Sequence, residues 1–448
     1  MTEKHSAADP RPVSDVSAGV GLVGLVGLFA WIMVCREWAT LADLFALPGP
    51  RQPLSGPYAA LAAVLFSATP MVLWSLLVDK VHRRASTGID WTRPRKLAAI
   101  AEVSVVKLAG LWATWGLIGV LYCIARWYWR GQYLFSMDVI GMAAIPLFVL
   151  SIPYVLWLDR TLVNPRDGAW HFGAMLIGRE AYDAREVAHH LRAWTVKGFF
   201  TAFMISILPG GFQGIVTYDF ADFISDPVRF AATLIELLFL IDVQIGTVGY
   251  LLTMKPLDAQ IRTANPHLAG WLAALICYPP FILMGDGGPL DYHPATSDWA
   301  FWLQGHTALL WVWAALLVCL TGVYAWATVA FGIRFSNLTY RGVLTNGPYR
   351  FTRHPAYLSK NLFWWLSTLP FFVTTGSITD TVRNTAIMAM VSGVYFWRAK
   401  TEEKHLGGAD PKYRAYSAWM ERNALITRGL RKVTGLLVPR GPRLQPAE

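Results

Sequence analysis

Long apolar runs recur along almost the whole of this 448-residue chain, and they constrain its fold more than any other feature. Each run has about the 20 residues that a helix needs to cross roughly 30 Å of hydrocarbon. We therefore expect an all-α, polytopic integral membrane protein with about ten transmembrane helices. The ten predicted spans are residues 20–34, 58–78, 97–124, 137–158, 196–216, 230–252, 268–284, 299–331, 357–373 and 382–397.

The composition agrees with this fold class. Hydrophobic residues make up 54% of the chain and charged residues only 15%, which is too apolar for a soluble domain of this length. The eighth predicted span, residues 299–331, is longer than a bilayer requires, so it must tilt, bend or protrude. The four cysteines form no CxxC pair, and we therefore predict neither a disulfide framework nor a metal site.

The basic residues are distributed unevenly between the loops, which predicts the orientation in the membrane. Lys and Arg are retained on the cytoplasmic side. Most of the 39 Lys and Arg residues lie in the N-terminal arm, in the tail after residue 398 and in the loops 80–96, 159–197, 255–266 and 332–356. We therefore expect cytoplasmic N- and C-termini. Contact of these basic loops with an anionic lipid leaflet explains the net charge of +10, and no nucleic-acid partner is predicted.

A few segments do not fit the division into apolar spans and basic loops. Residues 178–194 have the spacing of an amphipathic helix, which we expect to lie at the membrane interface. Glu102 and Lys107 share the third span, and we expect them to lie near a helix end or to pair with neighbours. Glu236 and Asp242 share the sixth span, where two interpretations remain open: pairing inside the protein, or lining a substrate cavity.

Two polar clusters flank the last two predicted spans: GPYRFTRHPAY at residues 347–357 and RAKTEEKHL at residues 398–406. Because two spans joined by a short turn form a hairpin, both clusters return to one side of the membrane and could form one site. Alone, the Arg and Tyr residues of the first cluster are typical of lipid-headgroup anchors. In the second, Arg398 and Glu402 are four residues apart and share a helix face, which a surface salt bridge would also explain.

The two clusters at this spacing, followed by Tyr413 and Tyr416, resemble the C-terminal signature of the isoprenylcysteine carboxyl methyltransferase (ICMT) family. Members of that family are integral-membrane enzymes that use S-adenosylmethionine. The resemblance covers about residues 331–422, a fifth of the chain. The region before it is far larger than the compact members of the family require.

This resemblance implies a division of the chain into parts. Residues 1–330 form an N-terminal transmembrane region of seven to eight spans with a possible lipid-substrate cavity. Residues 331–425 form the ICMT-like catalytic region with its two-helix membrane hairpin, and residues 426–448 form a basic cytoplasmic tail.

The resemblance also implies roles for individual residues. Arg398 and Tyr357 are expected to be catalytic, and Arg398 or Lys400 is expected to meet the substrate carboxylate. No metal is expected, because an in-line methyl transfer needs alignment and desolvation more than acid–base chemistry. The expected cofactor-binding residues are Arg341, Gly342, Val343, Leu344, Gly347, Tyr349, Arg353, His354, Pro355, Ala356, Tyr357, Glu402 and Glu403.

The implied function is methyl transfer from S-adenosylmethionine, at the cytoplasmic face of the membrane, to a lipophilic acceptor. The expected acceptor group is a carboxylate of a prenylated or lipid-like molecule, and the expected partners are that substrate and the membrane lipids. An NADPH-dependent membrane sterol reductase is an alternative with a similar number of spans. The adjacent Glu402 and Glu403 count against it, because a 2′-phosphate favours a basic pocket. A transporter or non-catalytic scaffold is the alternative of a different class, and inverted repeats would favour it.

Overall fold

The computed structural model describes residues 11–178 and 181–429 of the chain. Within them the protein is almost entirely α-helical, which confirms the all-α class. The predicted tail, residues 426–448, lies outside the described residues from position 430 onward. Strands β1 (Thr263–Ala264) and β2 (Thr339–Tyr340) pair antiparallel. The α-helices are α1 (Ala18–Arg36), α2 (Trp38–Leu44), α3 (Pro57–Leu73), α4 (Leu97–Ile124), α5 (Tyr133–Asp159), α6 (Gly168–Ile177), α7 (Ala184–Thr217), α8 (Pro227–Leu251), α9 (Leu268–Leu275), α10 (Trp299–Trp302), α11 (Thr307–Phe331), α12 (Pro355–Thr368), α13 (Ile378–Ala409) and α14 (Pro411–Asn423).

Seven helices in the described part of the chain are long and apolar enough to cross a membrane. They are α1, α4, α5, α7 and α8, together with α3 and α11, each of which is extended by a short helical turn of a different type. Each of the seven coincides with one of the predicted spans. The chain is therefore an integral membrane protein, as its apolar runs indicated.

The other three predicted spans do not form helices that are both long and apolar enough. Residues 268–284 contain only the eight-residue helix α9 and irregular chain after it. Residues 357–373 contain most of α12, whose 14 residues extend about 21 Å, less than the roughly 30 Å of hydrocarbon. Helix α13 has 32 residues and is long enough, but it carries more charged and polar residues than the seven apolar helices. The prediction of ten spans is thus supported for seven.

Two predicted boundaries are wrong. The eighth span is not one helix, because it breaks between α10 and α11, where Gly305 has a φ of +83° that side-chain-bearing residues rarely adopt. The predicted interfacial helix at residues 178–194 is not a separate element either. Helix α7 begins at Ala184, after the N-cap Asp183, and continues unbroken into the fifth span. No Gly or Pro lies between Ala184 and Lys197 to end the helix at the interface.

Helix α8 lies at the centre of the bundle. It packs against α11, α7 and α3. Its residues Leu240, Ile245 and Val248 are buried in an apolar cluster that also contains residues of α1 and α3. The C-terminal helices attach to this bundle through α11, against which α12 packs, while α13 packs against α9, α12 and α14.

The charged residues of the third span lie as predicted, either paired with neighbours or near a helix end. Lys107 Nζ lies 2.5 Å from Asp159 Oδ1 and 3.1 Å from Asp167 Oδ2, so this buried cation is paired. Glu102 is exposed and lies in the second turn of α4, close to the start of that helix.

The two carboxylates of the sixth span differ from each other. Asp242 is buried and accepts a hydrogen bond from Tyr324 OH at 2.8 Å and another from the Thr328 hydroxyl, both on α11. Asp242 is therefore paired inside the protein. Glu236 instead lines a cavity between α7 and α8. Asp242 thus follows the pairing alternative, whereas Glu236 has the position next to a cavity that the other alternative requires.

Candidate active site

The hairpin formed by α12 and α13 brings the two polar clusters together. Residues 347–357 lead into α12, which begins at Pro355, and residues 398–406 lie in the last turns of α13. His354 Nε2 lies 3.0 Å from Glu403 Oε1, so the clusters are in direct contact. The hairpin argument predicted this proximity.

Three basic side chains surround Glu403, and we call Arg353, His354, Lys400 and Glu403 the Glu403 cluster. Arg353 Nη2 lies 3.2 Å from Glu403 Oε1, and Lys400 Nζ lies 2.9 Å from Oε2. Burial would raise the pKa of the Glu403 carboxyl. The hydrogen bond from His354 and the charges of His354, Arg353 and Lys400 outweigh burial and lower that pKa to about 2. Glu403 is therefore ionised near neutral pH, and both of its oxygens are engaged.

The adjacent Glu402 has a different environment. Its Oε2 accepts a hydrogen bond from Tyr357 OH at 3.0 Å, and its other oxygen has no hydrogen-bond partner among the described residues. The Tyr357 ring stacks on the ring of His354, with centroids 5.7 Å apart. Tyr357 therefore connects α12 to α13 a second time, beside the Glu403 cluster.

Arg398 is buried in a cage of aromatic rings, and we call Arg398, Tyr278, Tyr357 and Tyr395 the Arg398 cluster. The guanidinium carbon lies 5.6, 5.1 and 5.3 Å from the ring centroids of Tyr278, Tyr357 and Tyr395. Only 6% of Arg398 is exposed, and within the described residues no carboxylate forms an ion pair with it. Cation–π contacts stabilise a desolvated cation but leave its charge uncompensated.

Two members of this cluster, and one residue that supports it, were missed by the sequence analysis. Asn337 Oδ1 accepts a hydrogen bond of 3.4 Å from Arg398. The Asn337 amide in turn donates to Tyr250 OH at 2.9 Å and to Tyr278 OH at 3.2 Å. No motif marks these residues, since Tyr278 follows α9 and Asn337 precedes β2. Tyr395 lies on α13 among apolar residues at helical spacing, so the sequence predicts only that it packs in the interior.

Lys360 was also missed, although a lysine inside a predicted span was a usable signal. It lies on α12, three residues after Tyr357, which places both on one helix face. Its Nζ lies 5.3, 5.1 and 5.9 Å from the ring centroids of Tyr324, Trp364 and Tyr395. Tyr395 therefore lies beside two cations, Lys360 and Arg398.

Comparison with protein families identifies the region that contains both clusters. Residues 307–407 match the model of the isoprenylcysteine carboxyl methyltransferase (ICMT) family. The ICMT match begins at the first residue of α11 and ends within α13. It confirms the resemblance of the C-terminal region and indicates a membrane methyltransferase. Searches of curated proteins and of solved structures found no match.

Arg341 lies within the ICMT-matched region, and its side-chain contacts hold the surrounding backbone in place. It is buried, and within the described part of the chain its side chain donates hydrogen bonds only to backbone carbonyl oxygens. These acceptors belong to Gly249, Leu252, Ala259, Ile333 and Phe335. Two of them lie at the end of α8, where a cation is favoured by the helix dipole. All of the guanidinium nitrogens are used, so the Arg341 side chain holds the loop to α8.

The next residues of the ICMT-matched loop, Gly342, Val343 and Leu344, are covered by the N-terminal arm. Asp15 Oδ2 accepts a hydrogen bond from the Val343 amide at 2.7 Å, and the Asp15 amide donates to the Val343 carbonyl at 2.9 Å. Lys412 Nζ lies 2.5 Å from Asp15 Oδ1. Val343 and Leu344 are both buried. The loop is therefore fixed between the arm and α14.

Helix α14 closes over the first ICMT cluster. Tyr416 OH donates to the Tyr349 carbonyl at 2.7 Å, and Arg353 Nη1 donates to Ser417 Oγ at 2.5 Å. The Tyr349 side chain is buried against α11, with its ring centroid 5.4 Å from that of Phe331. Contacts between α14 and this cluster thus link the loop to the Glu403 cluster.

Three small or rigid residues fix the path of the loop into α12. Gly347 has a φ of +54°, and a Cβ there would lie 3.2 Å from both Ala330 Cβ and Trp326 Nε1 of α11. A side chain at Gly347 would therefore be strained. Pro355 is buried at the first position of α12, which suits its fixed φ. Ala356 packs against the apolar cluster around α8.

A small cavity lies beside the Arg398 cluster, between the hairpin and the chain at α9 and β2. It has a volume of about 20 Å³, room for about one water molecule. Tyr357, Arg398 and Glu402 line it from the hairpin, and His405 lies beside them. Glu403 is not among its lining residues. The two adjacent glutamates thus differ: Glu402 faces the cavity, whereas both carboxylate oxygens of Glu403 contact basic side chains.

Proposed function

We propose that residues 331–425 form an S-adenosylmethionine-dependent methyltransferase site, of EC 2.1.1 type, at the cytoplasmic face of the membrane. The acceptor is lipophilic and carries a carboxylate, as in a prenylated or lipid-like molecule. The contact between His354 and Glu403 is the observation that carries this proposal. It joins the two ICMT motifs into one site, beside the uncompensated cation Arg398. Residues 1–330 supply apolar walls for a lipophilic acceptor.

The side chains of the site fit the chemistry of S-adenosylmethionine, whose methionine end carries an ammonium and a carboxylate. Glu402 faces the cavity with one unengaged oxygen, and it would bind the ammonium. Arg353 and Lys400 would meet the carboxylate. Tyr357 offers an aromatic face to the sulfonium. In this arrangement Glu403 is a positioning residue that holds Arg353 at the site.

When bound, the cofactor would supply an electrophilic methyl group, which passes to an acceptor oxygen as the sulfur–carbon bond breaks. A carboxylate acceptor is already ionised at neutral pH, so the chain does not need to remove a proton. Arg398 would hold that carboxylate through paired hydrogen bonds. The tyrosines around Arg398 exclude water from it. The protein then contributes alignment and desolvation, which are the main requirements of an in-line displacement.

The size of the cavity adds a requirement for movement. A volume of about 20 Å³ is far below the few hundred Å³ typical of cofactor sites. Helix α14 is the element that would move, because its contacts Tyr416 to Tyr349 and Ser417 to Arg353 close the site. The cofactor would bind as these contacts loosen, and α14 would then close over it.

Calorimetry on the purified full-length protein in detergent tests this function. We expect the wild type to bind S-adenosylmethionine but not NADPH, and Glu402→Ala to lose most of the binding. Lys404→Ala is the matched control, because Lys404 is exposed on the same helical turn and outside the site. Binding of NADPH in place of S-adenosylmethionine would refute the methyltransferase and favour the reductase. Full binding by Glu402→Ala would exclude Glu402 from the cofactor site.

A further inference from the structure

A second cavity lies within the membrane-spanning part of the protein, away from the two motif clusters. It has a volume of about 340 Å³ and lies between α7 and α8, within the size range of small-molecule sites. Apart from Glu236, every residue that lines it is apolar or glycine. The cavity is therefore a hydrophobic chamber that is partly open to its surroundings, and its one charged residue, Glu236, is exposed rather than enclosed by protein.

Glu236 lies far from either end of its helix. It is the tenth residue of α8, which has 25 residues and runs from Pro227 to Leu251. A carboxylate at this depth is costly in hydrocarbon unless it is paired. Among the residues that the structure describes, none forms a hydrogen bond or an ion pair with Glu236. The fold itself leaves this charge uncompensated.

Two buried charged groups of the spanning helices have partners within the protein. Lys107 pairs with Asp159 at 2.5 Å, and Asp242, six residues after Glu236, accepts a hydrogen bond from Tyr324. Glu236 differs from both, because it is exposed and has no such partner among the described residues.

Helix α7 is shaped to leave room for the Glu236 carboxylate. A Cβ on Gly214 would lie only 1.9 Å from Glu236 Oε1, so any larger residue at that position would displace the carboxylate. At Gly211, one helical turn earlier, a Cβ would be 3.8 Å from the nearest atom, which belongs to Leu240. The glycines of α7 therefore provide the space that the cavity occupies.

We propose that this cavity binds a lipophilic amine, whose ammonium group pairs with the Glu236 carboxylate and whose hydrocarbon body fills the apolar chamber. Charge complementarity selects this class of ligand, since an amine supplies the positive charge that the fold omits. Behind the cavity lie α11 and α12: the ring of Phe239, which lines the cavity, is 5.9 Å from that of Tyr324 and 6.4 Å from that of Phe363. The site does not depend on the methyltransferase proposal.

Photo-crosslinking in phosphatidylcholine nanodiscs tests this site with the full-length protein. The probes are hexadecylamine and hexadecanol, each with a diazirine in its chain, and mass spectrometry locates the labelled residues. We expect hexadecylamine to label α7 and α8, and Glu236→Gln to reduce this labelling about tenfold, as loss of a charge-assisted contact does. Glu102→Gln is the control, because Glu102 is another carboxylate in a spanning helix and does not line the cavity.

A second variant tests the contribution of the apolar space independently of the Glu236 charge. Gly211→Leu should place a side chain in the cavity and reduce labelling at this site by both probes, while its elution on size exclusion shows that the protein is folded. Equal labelling by hexadecanol and hexadecylamine, unchanged in Glu236→Gln, would overturn the proposal and identify a groove filled by acyl chains. Full labelling of Gly211→Leu would place the amine elsewhere. Cofactor binding measured on the same preparations keeps this result separate from the fate of the methyltransferase.

Discussion

Arg398 and Glu403 lie five residues apart on α13, yet the protein compensates the charge of Glu403 and leaves the charge of Arg398 uncompensated. Glu403 is surrounded by Arg353, His354 and Lys400, so its charge is compensated by the protein. Arg398 is surrounded by tyrosine rings and has no acidic partner within the described residues. A compensated charge stabilises the folded hairpin, whereas an uncompensated one favours the binding of an anion. The comparison therefore favours a structural role for Glu403, and it supports the proposal that Arg398 binds the acceptor.

Removing the uncompensated charge should have the largest effect. We expect Arg398→Ala to lower the rate of methyl transfer about 100-fold, because the acceptor carboxylate loses a buried, charge-assisted contact. The dissociation constant for S-adenosylmethionine should change by less than about twofold, since Arg398 does not hold the cofactor. Kinetics and calorimetry on the same preparation measure both quantities. An equal loss of cofactor affinity would move Arg398 to the cofactor side of the site.

The adjacent glutamates provide the next test of the comparison. Glu403→Gln should lower the free energy of unfolding by about 1–3 kcal/mol, because Arg353 and His354 lose their charged partner. Glu402→Gln should leave stability unchanged and weaken S-adenosylmethionine binding about tenfold. Thermal unfolding and calorimetry measure the two effects. If both variants showed the same pattern, the distinction between a positioning glutamate and a cofactor-binding glutamate would be lost.

Acidification should remove the stabilisation due to Glu403. The pKa of this carboxyl is lowered from 4.5 to about 2 in the folded protein, so its stabilisation is complete above about pH 4.5 and is lost as the pH falls toward 2. The difference in thermal midpoint between wild type and Glu403→Gln should therefore be present at pH 5 and shrink below pH 4.5. A difference that disappears already at pH 6 would mean that the cluster does not stabilise the ionised carboxylate.

The exposed member of the Glu403 cluster should contribute least. The side chain of Lys400 is 51% exposed, against 17% for Glu403, and exposed ion pairs are worth about 0–1 kcal/mol. Lys400→Ala should therefore change stability by less than about 1 kcal/mol in a urea titration. Raising the salt concentration should reduce even this difference. A loss as large as that of Glu403→Gln would show that Lys400, rather than Arg353 and His354, holds the carboxylate.

Much of the fold could be predicted because apolar runs directly reflect the bilayer. The seven long apolar helices were found, and the span at 97–124 coincides with α4. The errors arose in segments whose composition resembles that of a spanning or interfacial helix but whose backbone follows a different path. Residues 268–284 are apolar, yet they form only α9 and a series of turns, and α7 extends through what was predicted as a separate interfacial helix. Hydropathy records burial in apolar surroundings, and it does not distinguish a spanning helix from an apolar loop packed against protein.

The candidate site was predictable only where its residues are close in sequence or joined by one hairpin. The contact of His354 with Glu403 followed from the spacing of the clusters. The tyrosine around Arg398 that comes from the chain after α9, Tyr278, could not be found in that way, because its position depends on long-range packing. The spacing also favoured a pair between Arg398 and Glu402. In the structure Glu402 instead accepts a hydrogen bond from Tyr357 OH, and Arg398 packs against the ring of the same tyrosine.

Methyl transfer in membranes tests the central claim most directly. Membranes that contain the protein would be incubated with S-adenosylmethionine labelled in its methyl group, and the lipid and protein fractions would then be treated with base. We predict that label enters a lipophilic acceptor, is released by base as methanol because the product is an ester, and is lost in Arg398→Ala. Absence of labelled product from wild-type membranes, or label that resists base and persists in Arg398→Ala, would contradict carboxylate methylation at this site.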